Sequence, residues 1–68
     1  MKPRVGDMVH VPSDTYYYKY GSAKSAPLEV KKLEEPKSFL VIGETQIHYE
    51  LLIGGNSWLV EKQDVYKL

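Results

Sequence analysis

Tyr49-Glu50-Leu51-Leu52-Ile53-Gly54-Gly55-Asn56-Ser57-Trp58-Leu59-Val60-Glu61 reads as a tight β-hairpin. Ile47, Tyr49, Leu51 and Ile53 recur at period two, so an extended chain places them on one face. Gly54, Gly55 and Asn56 tolerate the positive φ that short hairpin turns require. Trp58 and Val60 continue the apolar face on the return strand. A Gly54-Gly55 turn sets Leu51 opposite Trp58 and Tyr49 opposite Val60. A Gly55-Asn56 turn sets Ile53 opposite Trp58 and Leu51 opposite Val60, and it brings Glu50 against Glu61, a mild penalty. Both registers keep the same apolar face; the first is preferred.

Working outward, the chain has 68 residues, which bounds it to a single domain, 1–68, near the lower size for unaided folding. It has no cysteine, so neither a disulfide framework nor a thiolate metal site is on offer. Met1-Lys2-Pro3-Arg4 is not followed by an apolar run of signal-peptide length. No stretch approaches the roughly 20 apolar residues that span a bilayer. A cytoplasmic location and no membrane partner are the expectation. Nine Lys and Arg cancel nine Asp and Glu. Zero net charge argues against generic nucleic-acid binding, which rests on phosphate neutralisation, and it offers little electrostatic resistance to self-association.

Residues 1–6 form a lead-in in which Pro3 and Gly6 discourage regular structure. Met8-Val9-His10-Val11 follows, with Val9 and Val11 on one face, and Pro12 ends it. Residues 13–36 read as a long, irregular arm. In its first half Tyr16, Tyr18 and Tyr20 share one side and Tyr17 and Lys19 take the other. Gly21-Ser22-Ala23-Lys24-Ser25-Ala26-Pro27 is a tip of small residues. Leu28-Glu29-Val30-Lys31-Lys32-Leu33 returns, with Leu28 and Val30 in phase and Leu33 out of phase; a short helical turn over 28–35 is the alternative. Ser38-Phe39-Leu40-Val41-Ile42-Gly43 is short and apolar, which predicts a strand buried on both faces. After a polar break at Lys62-Gln63-Asp64, Val65-Tyr66-Lys67-Leu68 is a short closing strand. Five or six short strands in so short a chain indicate an all-β barrel or sandwich.

The order of these pieces resembles SH3-like small barrels: a first strand, a long arm, a buried strand, a tight hairpin, a one-turn break and a short last strand. Gly6-Asp7-Met8-Val9-His10-Val11 looks like the Gly-Asp-x-Val-x-Val opening of Tudor- and KOW-type barrels. The central hairpin together with Asp64-Val65-Tyr66-Lys67-Leu68 resembles a pattern in short uncharacterised proteins of tailed phages. The resemblance covers most of residues 5–68 and rests on turn glycines and alternating apolar positions, which specify fold rather than activity. It implies an all-β, SH3-like small antiparallel barrel of five or six strands and, if phage-encoded, a host-cytoplasmic setting. An SH3 groove draws tyrosines from this same arm to seat a proline-rich partner. Here the acidic residues of the usual specificity pocket are missing, with only Asp14 nearby.

The unusual feature is the tyrosine cluster. Rings with a polar tip suit interfaces; the plainer reading is that one or two of them pack the arm onto the barrel. Tyr16, Tyr17, Tyr18, Lys19 and Tyr20 are the candidate binding residues, with Trp58 as an extension whose default place is the core. Lys19, Lys24, Lys31, Lys32 and Lys37 with these rings would suit a single strand of nucleic acid, but Glu29, Glu34 and Glu35 dilute the field. His10, His48 and Glu50 are the only metal or acid–base candidates, and no spacing among them demands zinc. No nucleophile–base set or phosphate loop is visible, so no enzyme, cofactor or metal is expected. The expected core is Val9, Val11, Phe39, Val41, Leu51, Ile53, Trp58, Val60 and Val65. The leading reading is a non-enzymatic binding module for a protein partner. Nucleic-acid binding through the same arm, or a structural subunit of a phage-type assembly, are the alternatives.

Overall fold

Two successive glycines set the register of the central hairpin. Gly54 and Gly55 have φ of 59° and 82°, the mirror-type turn whose twist matches that of the flanking strands. With them at the tip, β5 (His48–Ile53) and β6 (Asn56–Glu61) pair with Leu51 opposite Trp58 and Tyr49 opposite Val60. The Gly55-Asn56 register does not form: Glu50 faces Leu59, and Glu61 faces His48. The structure is a computed structural model that describes residues 2–20 and 27–68, apart from the side chains of Tyr20, Pro27 and Leu28. The expected small-residue tip at 21–26 lies outside the described residues.

The other strands are β1 (Met8–Val11), β2 (Tyr16–Tyr20), β3 (Pro27–Lys32), β4 (Lys37–Glu44) and β7 (Tyr66–Lys67), and a 3-10 turn (Lys62–Asp64) precedes β7. All pairings are antiparallel, in the order β3-β2-β6-β5-β4-β1-β7. Among the described residues the chain is therefore all-β, and seven strands form one sheet that is not closed, with β3 and β7 at the edges. The strand number exceeds the five or six expected because the arm is a paired hairpin. Tyr16 to Lys19 run in register with Lys32 to Glu29, and the register shifts only between Lys19 and Tyr20. The helical alternative over 28–35 is overturned by the same ladder: Glu29, Val30, Lys31 and Lys32 are extended and cross-strand paired.

Alternation along the strands builds one core. Val9, Val11, Val41, Leu51, Val60 and Val65 are buried, as expected, and Tyr49 and Leu33 join them. Phe39 and Ile53 are only half-buried, packed against that cluster from its margin. Leu33 escapes the Leu28–Val30 phase because it lies just past β3, where Leu33 N–H donates to the Thr15 carbonyl at 2.9 Å and Asp14 N–H to the Leu33 carbonyl at 2.7 Å. Asp14 takes φ of 68° to close this base of the arm. The expectation that β4 is buried on both faces fails: Leu40 and Ile42 keep 37% and 38% of their surface exposed, since alternation turns them to the face opposite buried Val41. Ile47 is 65% exposed because it precedes β5 rather than continuing its face.

The lead-in has no strand, yet it is tied down. Gly6 N–H donates to the Val41 carbonyl and Val41 N–H to the Asp7 carbonyl, each at 2.9 Å. Asp7 also caps its own turn, its carboxylate accepting from Arg4 N–H at 2.9 Å. Buried Tyr49 donates its hydroxyl to the Pro3 carbonyl at 2.8 Å.

Two stability outcomes follow. Gly55→Val should lower the melting temperature by several degrees, about 1 kcal/mol or more. A Cβ there meets no atom within 4 Å, so the cost is backbone strain alone and Gly55→Asn should recover much of it. Thermal denaturation followed by circular dichroism checks both. Tyr49→Phe should cost about 1 kcal/mol in urea denaturation, because it strips a buried hydrogen bond and leaves the ring in place.

Candidate binding surface on the arm

Alternation splits the arm into two chemically different sides. Tyr17 and Lys19 point from β2 toward Trp58 on β6. The Tyr17 and Trp58 rings meet edge to face, centroids 4.9 Å apart and planes at 81°. Lys19 Nζ stands 4.5 Å from the Trp58 ring centroid, and Lys31 Nζ, from the strand opposite, 5.4 Å. Trp58 is thereby 5% exposed. It is buried under the arm rather than within the main core cluster. An aromatic pair adds about 0.5–1.5 kcal/mol beyond its area, and cation–π contacts about 0.5–2 kcal/mol, so this underside holds the arm to the sheet.

The opposite side faces outward. Tyr18 pairs with Leu59 of β6 on one flank and with Val30 of β3 on the other. Its ring meets the His48 imidazole edge to face at 5.5 Å. Tyr16 pairs with Lys32 and is 56% exposed; Val30 is 52% exposed. Tyr16, Tyr18 and Val30 thus form an outward apolar patch with phenol oxygens on it. Tyr20 continues the strand, but its side chain lies outside the described parts. Of the expected site residues, then, Tyr16 and Tyr18 are brought together on the outer side, whereas Tyr17, Lys19 and Trp58 stand together beneath. Val30, His48 and Leu59 complete the outer side. The alternation of Val30 between charged neighbours was the available signal for it; cross-strand register, which reading along the chain does not supply, brings in the other two.

Of the described arm lysines, Lys32 stands opposite Tyr16 on the outer side, and the others are placed differently. Lys19 and Lys31 turn to Trp58; Lys31 also pairs with Glu29 at 3.5 Å, and Lys32 with Asp14 at 3.7 Å. Such exposed pairs contribute about 0–1 kcal/mol each; here they offset positive charge on the arm. His48 and Glu50 share a strand face, as the spacing predicts, but each is engaged with other groups: His48 Nδ1 lies 3.4 Å from Thr45 Oγ1, and Glu50 accepts from Ser57 Oγ. Among the described residues no three His, Asp or Glu side chains gather as a metal site. Among them, too, no helix is long and apolar enough to cross a membrane. No protein-family model, curated protein or solved structure matches this chain.

Trp58→Ala should cost about 3–5 kcal/mol, a large share of the stability of a domain this small. Lys19→Met should cost about 1 kcal/mol or less. Chemical denaturation of the two variants ranks the contacts on the underside of the arm.

Proposed function

We propose that this chain is a non-enzymatic binding module of the SH3-like kind, which takes a protein partner on the outward side of its arm at Tyr16, Tyr18 and Val30. The fold part of this reading is supported by connectivity. A first strand, a long hairpin arm, the consecutive antiparallel strands β4, β5 and β6, a 3-10 turn and a short last strand paired to the first follow one another in the order typical of small SH3-like barrels. The partner part is carried by one observation: Tyr16 and Val30 stay more than half exposed while Tyr17, Lys19 and Lys31, on the other side of the same hairpin, meet Trp58. Large apolar groups left in the open beside polar ones mark interaction surfaces, and tyrosine binds well because it buries much area at small conformational cost. A protein surface with an apolar centre and a polar rim fits such a patch.

The nucleic-acid alternative draws less support from the lysine placement, since Lys19 and Lys31 lie on the other side from Tyr16 and Tyr18, and Lys32, beside Tyr16, is paired with Asp14. The assembly-subunit alternative rests on the open sheet, whose edges β3 and β7 offer unpaired main-chain groups. Sedimentation of the isolated chain tests it: concentration-dependent association supports it, and a monomer up to high concentration removes it.

For the leading reading, Tyr16→Ser and Val30→Ser should leave stability within about 0.5 kcal/mol. At least one of them should weaken partner capture by about 2 kcal/mol. Tyr17→Ser should do the reverse and lower the melting temperature. Capture should hardly change with salt, in contrast to phosphate-based binding. Unchanged capture by both outward variants, or steep salt sensitivity, refutes the reading.

A further inference from the structure

At the end of the sheet away from the arm, a groove of about 720 Å³ opens between the lead-in, the β4–β5 connection, the 3-10 turn and β7. No described residue of 13–36 lines it, so it is separate from the surface at Tyr16, Tyr18 and Val30. Its floor is firm: Tyr49 and Val65 are 2% and 7% exposed, and Pro3 is buried. Its walls mix polar and apolar groups, and the apolar Ile47 and Tyr66 are 65% and 61% exposed. A cavity of this size, walled in part by exposed aliphatic and aromatic groups, falls in the range of ligand sites.

Charge on the groove is one-sided. Lys2, Lys62 and Lys67 line it against a single carboxylate, Glu61. Gln63 already donates to Glu61, at 2.8 Å. Lys62 is committed, held at 2.5 Å by Glu44 and lying over the Tyr49 ring. Lys67 has only a long pairing to Asp7, 3.8 Å, and among the described residues Lys2 makes no ion pair. A second depression, lined by Lys2, Pro3, Arg4, Val5 and Glu44, shares Lys2 and Pro3 with it and adds one guanidinium and one carboxylate.

The groove also runs along a sheet edge. β7 pairs only with β1. Leu68 N–H points to the Met8 carbonyl, 3.5 Å away. By strand alternation, the N–H and C=O of Lys67 then point away from β1, toward the open side. The other edge, β3, is less suited to an added strand: it carries Pro27, Glu29, Lys31 and Lys32, the residue types that blunt edges.

We propose that this groove binds an extended acidic peptide, which adds a short strand beside β7, seats an apolar side chain against Ile47, and places carboxylates on Lys2 and Lys67. Main-chain pairing at the edge supplies affinity, and alternate side chains entering the groove supply selectivity. An acid–apolar–acid pattern at every second residue puts all three groups on the groove side of the added strand.

The test is a titration of the full 68-residue chain, observed by amide NMR, with the capped pentapeptide Glu-Ser-Leu-Ser-Glu. Lys-Ser-Leu-Ser-Lys and Glu-Ser-Ser-Ser-Glu serve as controls. Saturable shifts at Ile47, Gln63 and Lys67, slowed exchange of the Lys67 amide, and at least tenfold weaker binding of both controls are expected. Ile47→Ser and Lys2→Glu, both at exposed positions, should each weaken binding severalfold while the spectrum stays dispersed. The proposal is overturned by absence of saturable shifts, by equal binding of the lysine peptide, or by shifts centred on Tyr16, Tyr18 and Val30. Failure of the arm reading leaves these outcomes unaffected, because no described residue of the arm lines the groove.

Discussion

The pairing of Leu51 with Trp58 across the β5–β6 hairpin is the constraint on which the rest of the structure depends. It follows from two glycines at positive φ, and it decides which side of each strand faces inward. A slip of one residue would turn Trp58 and Val60 to the face opposite Tyr49 and Leu51. In the register that forms, Leu51 and Val60 are fully buried and fill the centre, while the two aromatic members reach to opposite ends. Trp58 receives the arm through Tyr17, Lys19 and Lys31. Tyr49 receives the lead-in through the Pro3 carbonyl and lies beneath Lys62 of the 3-10 turn. The hairpin thus anchors segments from both ends of the chain.

This division explains how a chain of 68 residues leaves Tyr16 and Val30 more than half exposed. Small domains bury a low fraction of their surface and have little core to spare. Here Trp58 is covered by an aromatic ring and by the ammonium groups of two lysines, so that long polar side chains take part of the work of burial. On the outward side of the arm, Tyr18 packs against His48, and Tyr16 and Val30 stay more than half exposed. Along the other strands, Met8, Leu40, Ile42 and Leu52 alternate with buried neighbours and retain exposure. An open antiparallel sheet with one solvated face tolerates this, but its two edges differ. β3 is lined with charge, whereas β7 opens onto a groove of mixed apolar and cationic character.

Several groups that suggest chemistry when read singly are absorbed into structural contacts. His48 supports the Tyr18 ring and lies beside Thr45. Glu50 accepts from Ser57, and its carboxylate fills the space that a Cβ at Gly43 would need. Gly43 follows directly on the break in the β4–β5 register, so the missing side chain makes room for Glu50 across the ladder. Each of these groups is satisfied by a neighbour that becomes adjacent only when strands pair.

From the sequence alone come the all-β class, the Gly54-Gly55 turn with its register, most of the core, and the split of the arm into Tyr16 and Tyr18 against Tyr17 and Lys19. All of these depend on local rules: period-two alternation, the φ range of glycine and the breaking effect of proline. Tertiary structure alone decided which of the two sides of the arm is covered, because that depends on β2 lying against β6 through Tyr18 and Leu59, residues far apart in the chain. It also decided that β4 is buried on one face only, that Leu33 enters the core, and that Ile47, in phase with β5 in sequence, stands exposed on a groove wall with Tyr66. A side chain's periodicity tells which neighbours share its face; whether that face meets protein or water depends on which distant strand, if any, packs upon it.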